Sequence, residues 1–464
     1  MTTSAPPQIP ADVRAAHRQL SPAAERFLEH LVEHPAQAAR LVGFEEGLPE
    51  RMFRDPITWP TLADARRVAE MERATVGLCR LTKAIPAVVF GGDLGAIAAF
   101  YGYDPILLAA SLSVRNYMNS TVARCDFIDT PGGLMCCEVN MAANLGGWYH
   151  GFWHERYRQH PVIMDFCAGE GISPGGHDLL VTFCEHMIDD ALECGVIKEG
   201  GELNVVMASG EPVTEGGRRH VNDVYAELLR RTGRGVTGQL WLSDKSAEEL
   251  VLRGRDLYVG ERRMHVVYAY DKPFPIQVLR AQLTGGIRAY NGGLTRMWLD
   301  KRNLALLSEN AELEAWTEED RELIRDHVPW TRVVSPRATT WRGAEVRLPG
   351  FLLDHRDGLV LKRGLSHSGK DVYVGRYLAP DAWEARVREA MEEGGWIVQE
   401  RMESKPYFYP PQPGAAPVPH TLVWGLFCTG WRYAGGFLRM LPQGAGEGVV
   451  NCARGAHEGA ILEI

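Results

Sequence analysis

One stretch limits the fold of this chain more than any other. Between residues 202 and 243 an apolar run, ELNVVMASG, enters a turn. A helical segment, GRRHVNDVYAELLRRTG, follows and stops at Gly233, and a second apolar run, GQLWLSD, closes the unit. Strand, helix and strand within about 40 residues is the pattern of a crossover that joins two parallel strands. The expected class is therefore α/β.

The rest of the chain is read around that unit. Residues 22–82 are mostly helical in pattern, and ADARRVAEMERATVGLCRLTKAI places apolar residues three and four apart. Residues 86–160 mix helix with short strands and end in GGLMCCEVN, and ISPGGHDLLVTFCEHMIDDALECG is helical. DLYVGERRMHVVYAY reads as a hairpin around Gly260 and Glu261. Residues 301–356 read as mainly helical. DGLVLKRG, SGKDVYVGRYL and WIVQERM read as strands, with the amphipathic helix DAWEARVREAMEEGG before the third. The proline-rich YFYPPQPGAAPVPH suits a connection between strands, because proline is tolerated at edges and turns. VWGLFCTGWRYAGGFLRML is strand-rich. The expected segments are 1–85 (helical), 86–173, 174–300 (the strand–helix–strand unit) and 301–464 (antiparallel strands and helices).

Composition narrows the function. A length of 464 residues allows two or three domains. The net charge of −9 argues against nucleic acid or an anionic membrane as the main partner. No apolar run approaches the roughly 18 residues of a membrane span. MTTSAPPQIPAD lacks the basic and apolar regions of a signal peptide. The cysteines number 9 and include no CxxC pair, which suggests a reduced, cytoplasmic protein with mostly buried thiols.

Four places carry candidate chemistry. In ARCDFIDTPGGLMCCEVN, Arg124 and Asp126 share one strand face, as do Glu138 and Asn140, and the TPGG turn folds one strand onto the other. Asp126, Glu138 and Asn140 then supply the hard oxygens Mg²⁺ prefers, with Arg124 beside them for a phosphoryl group. A surface hairpin with alternating polar positions gives the same pattern. In GLVLKRGLSHSGKDVYVG a strand ends at Lys362 and enters a loop holding Gly364, Ser366, Ser368 and Gly369. Small residues let backbone N–H groups approach phosphate, although a hairpin with a flexible turn also fits. Lys301 opens the helical DKRNLALLSE, and the strand WIVQE ends at Gln399 and Glu400. His150, His154 and Arg158 fall on one helical face and read as a packed helix, and Cys136 and Cys137 read as core strand residues. Walker A, GxSxG and HExxH motifs are absent.

In order and spacing these motifs resemble the circularly permuted ATP-grasp ligases, such as the synthetase domain of glutathionylspermidine synthase. The resemblance runs from about residue 86 to the C-terminus and rests on R-x-D, E-x-N, DKRNLALLSE, LVLKRGLSHSGKDVYVG and IVQE. It implies an ATP-grasp-like fold of mixed sheets, with the strand–helix–strand subdomain and an antiparallel nucleotide-binding subdomain. It also implies an ATP- and Mg²⁺-dependent ligase that joins a small-molecule or short-peptide carboxylate to an amine through an acyl phosphate. Asp126, Glu138 and Asn140 would hold Mg²⁺, and Arg124 would meet the transferring phosphoryl group. Lys301, Lys362 and the loop Ser366, Ser368 and Gly369 would hold phosphates. Gln399, Glu400 and the backbone near Val398 would meet adenine and ribose. Two positions depart from the pattern: Arg363 stands where relatives carry proline, and Asp371 where they carry glycine. No segment is left over for an amidase domain, so a polyamine–glutathione role is not carried over. A silent nucleotide-binding scaffold and a phosphotransferase are the alternatives. By position alone, VVFGGDLGAIAAFYGYDP and SLSVRNYMNS, with Arg115 and Asn119, are candidates for binding the acid and the amine.

Overall fold

The strand–helix–strand unit forms as its pattern requires. Strands Val205–Ala208 and Leu240–Ser243 lie parallel, with helix Glu215–Arg231 as the crossover. Thr214 caps the helix start by accepting from the Gly217 N–H, and Val221, Tyr225, Leu228 and Leu229 form its buried face. Val266–Ala269 and Arg288–Ala289 extend this sheet to four strands, all parallel. The computed structural model describes residues 8–41, 59–114, 117–141, 145–148, 150–208, 214–243, 250–269, 275–366, 369–412 and 414–464.

The run from 256 to 270, expected as one hairpin, is divided. Asp256–Val259 and Arg262–Met264 pair antiparallel. Beyond His265 the chain crosses to the parallel sheet as Val266–Ala269. His265 sits at the junction, where its Nδ1 accepts from the Asn204 N–H at 3.0 Å and its own N–H donates to Asn204 O at 2.8 Å. Period-2 alternation reports which face is buried, not which sheet buries it.

Residues 301–356 are also less helical than expected. Helices Arg302–Glu309, Glu318–His327 and Leu348–Asp354 form. Between them lie strand Thr331–Val333 and a hairpin, Ala338–Trp341 with Ala344–Arg347. Its turn puts Arg342 at φ 48° and Gly343 at φ 82°, the left-handed pair that a two-residue hairpin favours.

Two further sheets build the site. Among the described residues the larger has seven strands. Its order is Thr61–Ala63, His457–Glu463, Arg432–Pro442, Val418–Thr429, Val122–Thr130 and Gly133–Asn140, with Tyr407–Tyr409 also paired to Val418–Thr429. The smaller sheet is antiparallel, in the order Thr331–Val333, Trp396–Glu400, Leu359–Arg363, Val372–Val374. Helix Pro380–Glu393 covers it with Trp383, Val387 and Ala390. The N-terminal helices share the larger sheet's core: Phe27, Leu28, Leu31 and Leu78 cluster with Phe127, Trp424, Leu438 and Ile461. His150 and His154 are buried on helix His150–Gln159. The cysteines are all free and six of them are buried, Cys136 included; Cys137 is half-buried. Among the described residues, no single helix is long and apolar enough to cross a membrane.

Candidate functional site

The hairpin Val122–Thr130 and Gly133–Asn140 sets Arg124 opposite Asn140 and Asp126 opposite Glu138. The next pair is Phe127 with Cys136, so Cys137 is the extra residue of a bulge. Bulges re-aim groups beside functional sites. Here the bulged Cys137 carbonyl accepts from Lys362 Nζ at 3.1 Å.

Asp126 is buried between two guanidinium groups. Arg124 donates from Nε and Nη2 to its two oxygens at 2.7 and 3.1 Å. Arg439, from strand Arg432–Pro442, reaches Oδ2 at 2.7 Å. Asn140 Nδ2 also approaches Oδ2, at 3.4 Å. Arg124 donates again to the Leu145 carbonyl. Gly425, opposite Asp126, keeps this space open: a Cβ there would lie 2.7 Å from the Phe437 ring and 3.1 Å from Arg124 Cδ. Both guanidinium groups flank the Phe437 ring, at 5.6 and 5.7 Å. Arg439 is not among the residues expected from the sequence. Its signal was a lone charge inside the otherwise apolar GGFLRML.

Burial pushes the Asp126 carboxyl up, but Arg124 and then Arg439 override it and hold the carboxyl lowered to about 2. Such a group adds stability that is present above the ordinary carboxylate value of about 4 and is lost as pH falls toward the folded value. Asp126→Asn is therefore expected to be less stable than wild type at neutral pH. The gap should close as pH drops toward 2, read as urea midpoints across that range. A gap independent of pH would overturn this account.

The smaller sheet and the helix Arg302–Glu309 supply two lysines. Lys301 Nζ pairs with Glu138 Oε1 at 2.8 Å and donates to the Ser366 carbonyl at 2.8 Å. Lys362 Nζ donates to Gln399 Oε1 at 2.6 Å and to Cys137 O. Burial lowers the Lys362 pKa. An ammonium has three donors, and among the described residues each lysine has two committed. Each also bridges the smaller-sheet lobe to the Val122–Asn140 hairpin of the larger sheet.

A cleft of about 990 Å³ lies between the two sheets. Arg124, Asp126, Glu138, Asn140, Lys301, Lys362, Ser366, Gly369, Gln399 and Glu400 all line it, as do Arg439 and Glu458. Ser368 lies outside the described residues. Gly369 has φ 66° and closes against Val449, 3.1 Å from where its Cβ would stand. Arg376, Tyr377 and residues 401–404 also line the cleft, with Ile128, Val360, Val374 and Val423 as its apolar part.

Several expected roles sit differently. Gln399 has no exposed surface and its amide is committed to Lys362 and Thr331. Val398 lies in a central strand, paired with Arg332 on one side and Leu361 on the other, so its backbone is occupied by the sheet. The Glu400 N–H donates to Trp330 O and the Arg401 N–H to Gly358 O, and Met402 to Ser404, which follow the ladder, line the cleft. Arg363 turns away, pairing with Glu393 and covering the Trp396 ring. The Asp371 carbonyl accepts from the Arg363 N–H. Asn119 is held by Trp431 Nε1 at 3.2 Å and does not line the cleft, and Arg115 lies outside the described residues.

Six cations line the cleft, Arg124, Lys301, Lys362, Arg376, Arg401 and Arg439, against five carboxylates, Asp126, Glu138, Glu400, Glu403 and Glu458. That surplus suits an anionic ligand. Among the described residues no three His, Cys, Asp or Glu side chains converge as a metal site. Mg²⁺ needs less than that, since it uses one or two protein oxygens together with phosphate and water. Glu138 and Asn140 fit that smaller set. Asp126 has both oxygens on arginines.

No family model and no curated protein matches the sequence. Among solved structures the chain is similar to a glutathione synthetase-like effector from Globodera pallida in its apoform. The two share 11% identity with a TM-score of 0.52, over 95% of this chain and 97% of that one. At that identity the likeness concerns the fold alone, which is mixed α/β and glutathione synthetase-like.

Proposed function

We propose that this chain is an ATP- and Mg²⁺-dependent ligase that joins a carboxylate to an amine. The observation that carries the reading is the pair of buried lysines. Each is fixed by two partners, retains one donor among the described residues, and opens into the same cleft as Arg124, Arg439, Glu138 and Asn140. Fixed donors aimed at a transferring phosphoryl group are the main catalytic need of such a reaction. The cleft volume is in the range of small-molecule sites. The order of the parts, hairpin first and lysine strand later, resembles that expected of a circularly permuted ATP-grasp chain and supports the reading.

In this reading Lys301 and Lys362 bind the nucleotide phosphates, and the apolar part of the cleft with residues 401–404 receives the base. Arg124 and Arg439 flank the γ-phosphoryl group. A carboxylate oxygen of the first substrate attacks the γ-phosphorus and the bond to ADP breaks. The amine then attacks the acyl carbon, and phosphate leaves as the amine loses a proton. Mg²⁺, held by Glu138 and Asn140, would neutralise charge on the phosphate oxygens.

The test is ADP release in a matrix of carboxylates and amines. Release that requires both supports the ligase. Release with an alcohol or carboxylate alone makes the protein a phosphotransferase, and an absence of ATP binding leaves a silent scaffold.

A further inference from the structure

Gln399 lies on one of the two central strands of the smaller sheet and is fully buried. Its amide orientation is set by its neighbours. The Thr331 hydroxyl donates to Pro329 O at 2.8 Å, so its oxygen is left to accept, and Gln399 Nε2 donates to it at 3.1 Å. Gln399 Oε1 therefore points to Lys362 Nζ, 2.6 Å away. The bulged Cys137 carbonyl takes a second Lys362 donor.

We propose that Gln399 is a positioning residue that acts through Lys362, anchoring the ammonium so that its third N–H is aimed at the phosphates of a bound nucleotide. The inference rests on the nucleotide reading above and deepens it. Lysine is flexible, and without a fixed acceptor its ammonium samples several rotamers. A neutral amide suits the task. It orients the ammonium yet leaves the full positive charge for phosphate, whereas a carboxylate would pair with that charge and compete.

The experiment compares wild type, Gln399→Leu, Gln399→Glu, Lys362→Met and the double variant Gln399→Leu/Lys362→Met. The probes are ATP, adenosine and inorganic tripolyphosphate, measured by calorimetry. Both single Gln399 variants are expected to weaken ATP and tripolyphosphate about tenfold to a hundredfold, the scale of a hydrogen bond to a charged group. Adenosine affinity should stay as in wild type. In the Lys362→Met background, Gln399→Leu should add less than about twofold, because residues that act through each other are not additive. Loss of adenosine affinity with tripolyphosphate retained would make Gln399 a base contact and overturn the proposal, as would additive effects. A second readout needs no ligand: the titration of Lys362 in the free protein, followed by NMR of the ¹³Cε signal of isotope-labelled, unmodified lysine. Gln399→Leu should lower the Lys362 pKa further and Gln399→Glu should raise it. Unchanged titrations defeat the proposal. If wild type binds none of the three probes, the nucleotide reading falls, and the lysine titration alone decides whether Gln399 fixes Lys362. Gln399→Glu keeps the side-chain size and carries the test if the leucine variant fails to fold.

Discussion

Lys362→Met is expected to cut ATP-dependent turnover by at least about 10²–10³-fold, the cost of removing one fixed donor from a charge-stabilising site. The side chain is only 8% exposed, so methionine of similar length fills its space without stranding a charge. The groups it leaves are a carbonyl, Cys137 O, and an amide, Gln399 Oε1. The loss should fall on catalysis and nucleotide affinity, with the unfolding midpoint moving little. ADP release and urea unfolding, measured on the same preparation, check both halves. Glu138→Gln is a companion: it removes the partner of Lys301 and one proposed Mg²⁺ ligand, and is expected to lose turnover in the same range. Wild-type rates in both variants would remove this cleft as the place of reaction.

Asp129→Ala is expected to do the reverse, with its main cost in stability. Asp129 has no exposed surface. Its carboxylate accepts from Arg67 Nη2 at 2.7 Å, from Lys405 Nζ at 2.8 Å and from the Tyr407 hydroxyl. All three partners are themselves buried. Removing the anion leaves two buried cations without it, although Arg67 keeps Glu70 at 2.8 Å. Breaking a buried ion pair from one side costs about 3–5 kcal/mol. Urea unfolding should show that loss as a lower midpoint at unchanged slope. An unchanged midpoint would mean that the triad holds nothing. The network also secures the chain just past residues 401–404, which line the cleft, so any drop in activity should follow the fraction folded.

The two predictions differ in how legible their residues were. The Arg124, Asp126, Glu138 and Asn140 set is local: a period of two on each strand and a four-residue turn bring it together. Lys301 and Lys362 stood out through motif order. Asp129 and Lys405 carry no such signal, since their meeting depends on a contact between positions 276 residues apart. Arg439 is similar. It reaches Asp126 only because Val418–Thr429 pairs with Val122–Thr130 on one side and with Arg432–Pro442 on the other, with Gly425 leaving room between. The surroundings of Gln399 were hidden for the same reason. Its position at a strand end suggested a base contact, but the strand is central and the side chain faces a lysine.

The sequence by itself determined the parallel unit around 205–243, the 122–140 hairpin and the faces on which their polar residues lie. These follow from periods of 2 and 3.6 residues and from turn chemistry, all of which act within a few positions. Only the tertiary structure decided which charges meet: Asp126 between two arginines, Glu138 on Lys301, Lys362 on Gln399. A period specifies a face and leaves its neighbour open. The neighbour is chosen by long-range strand pairing, where the burial of whole sheets outweighs the preference of any one polar side chain.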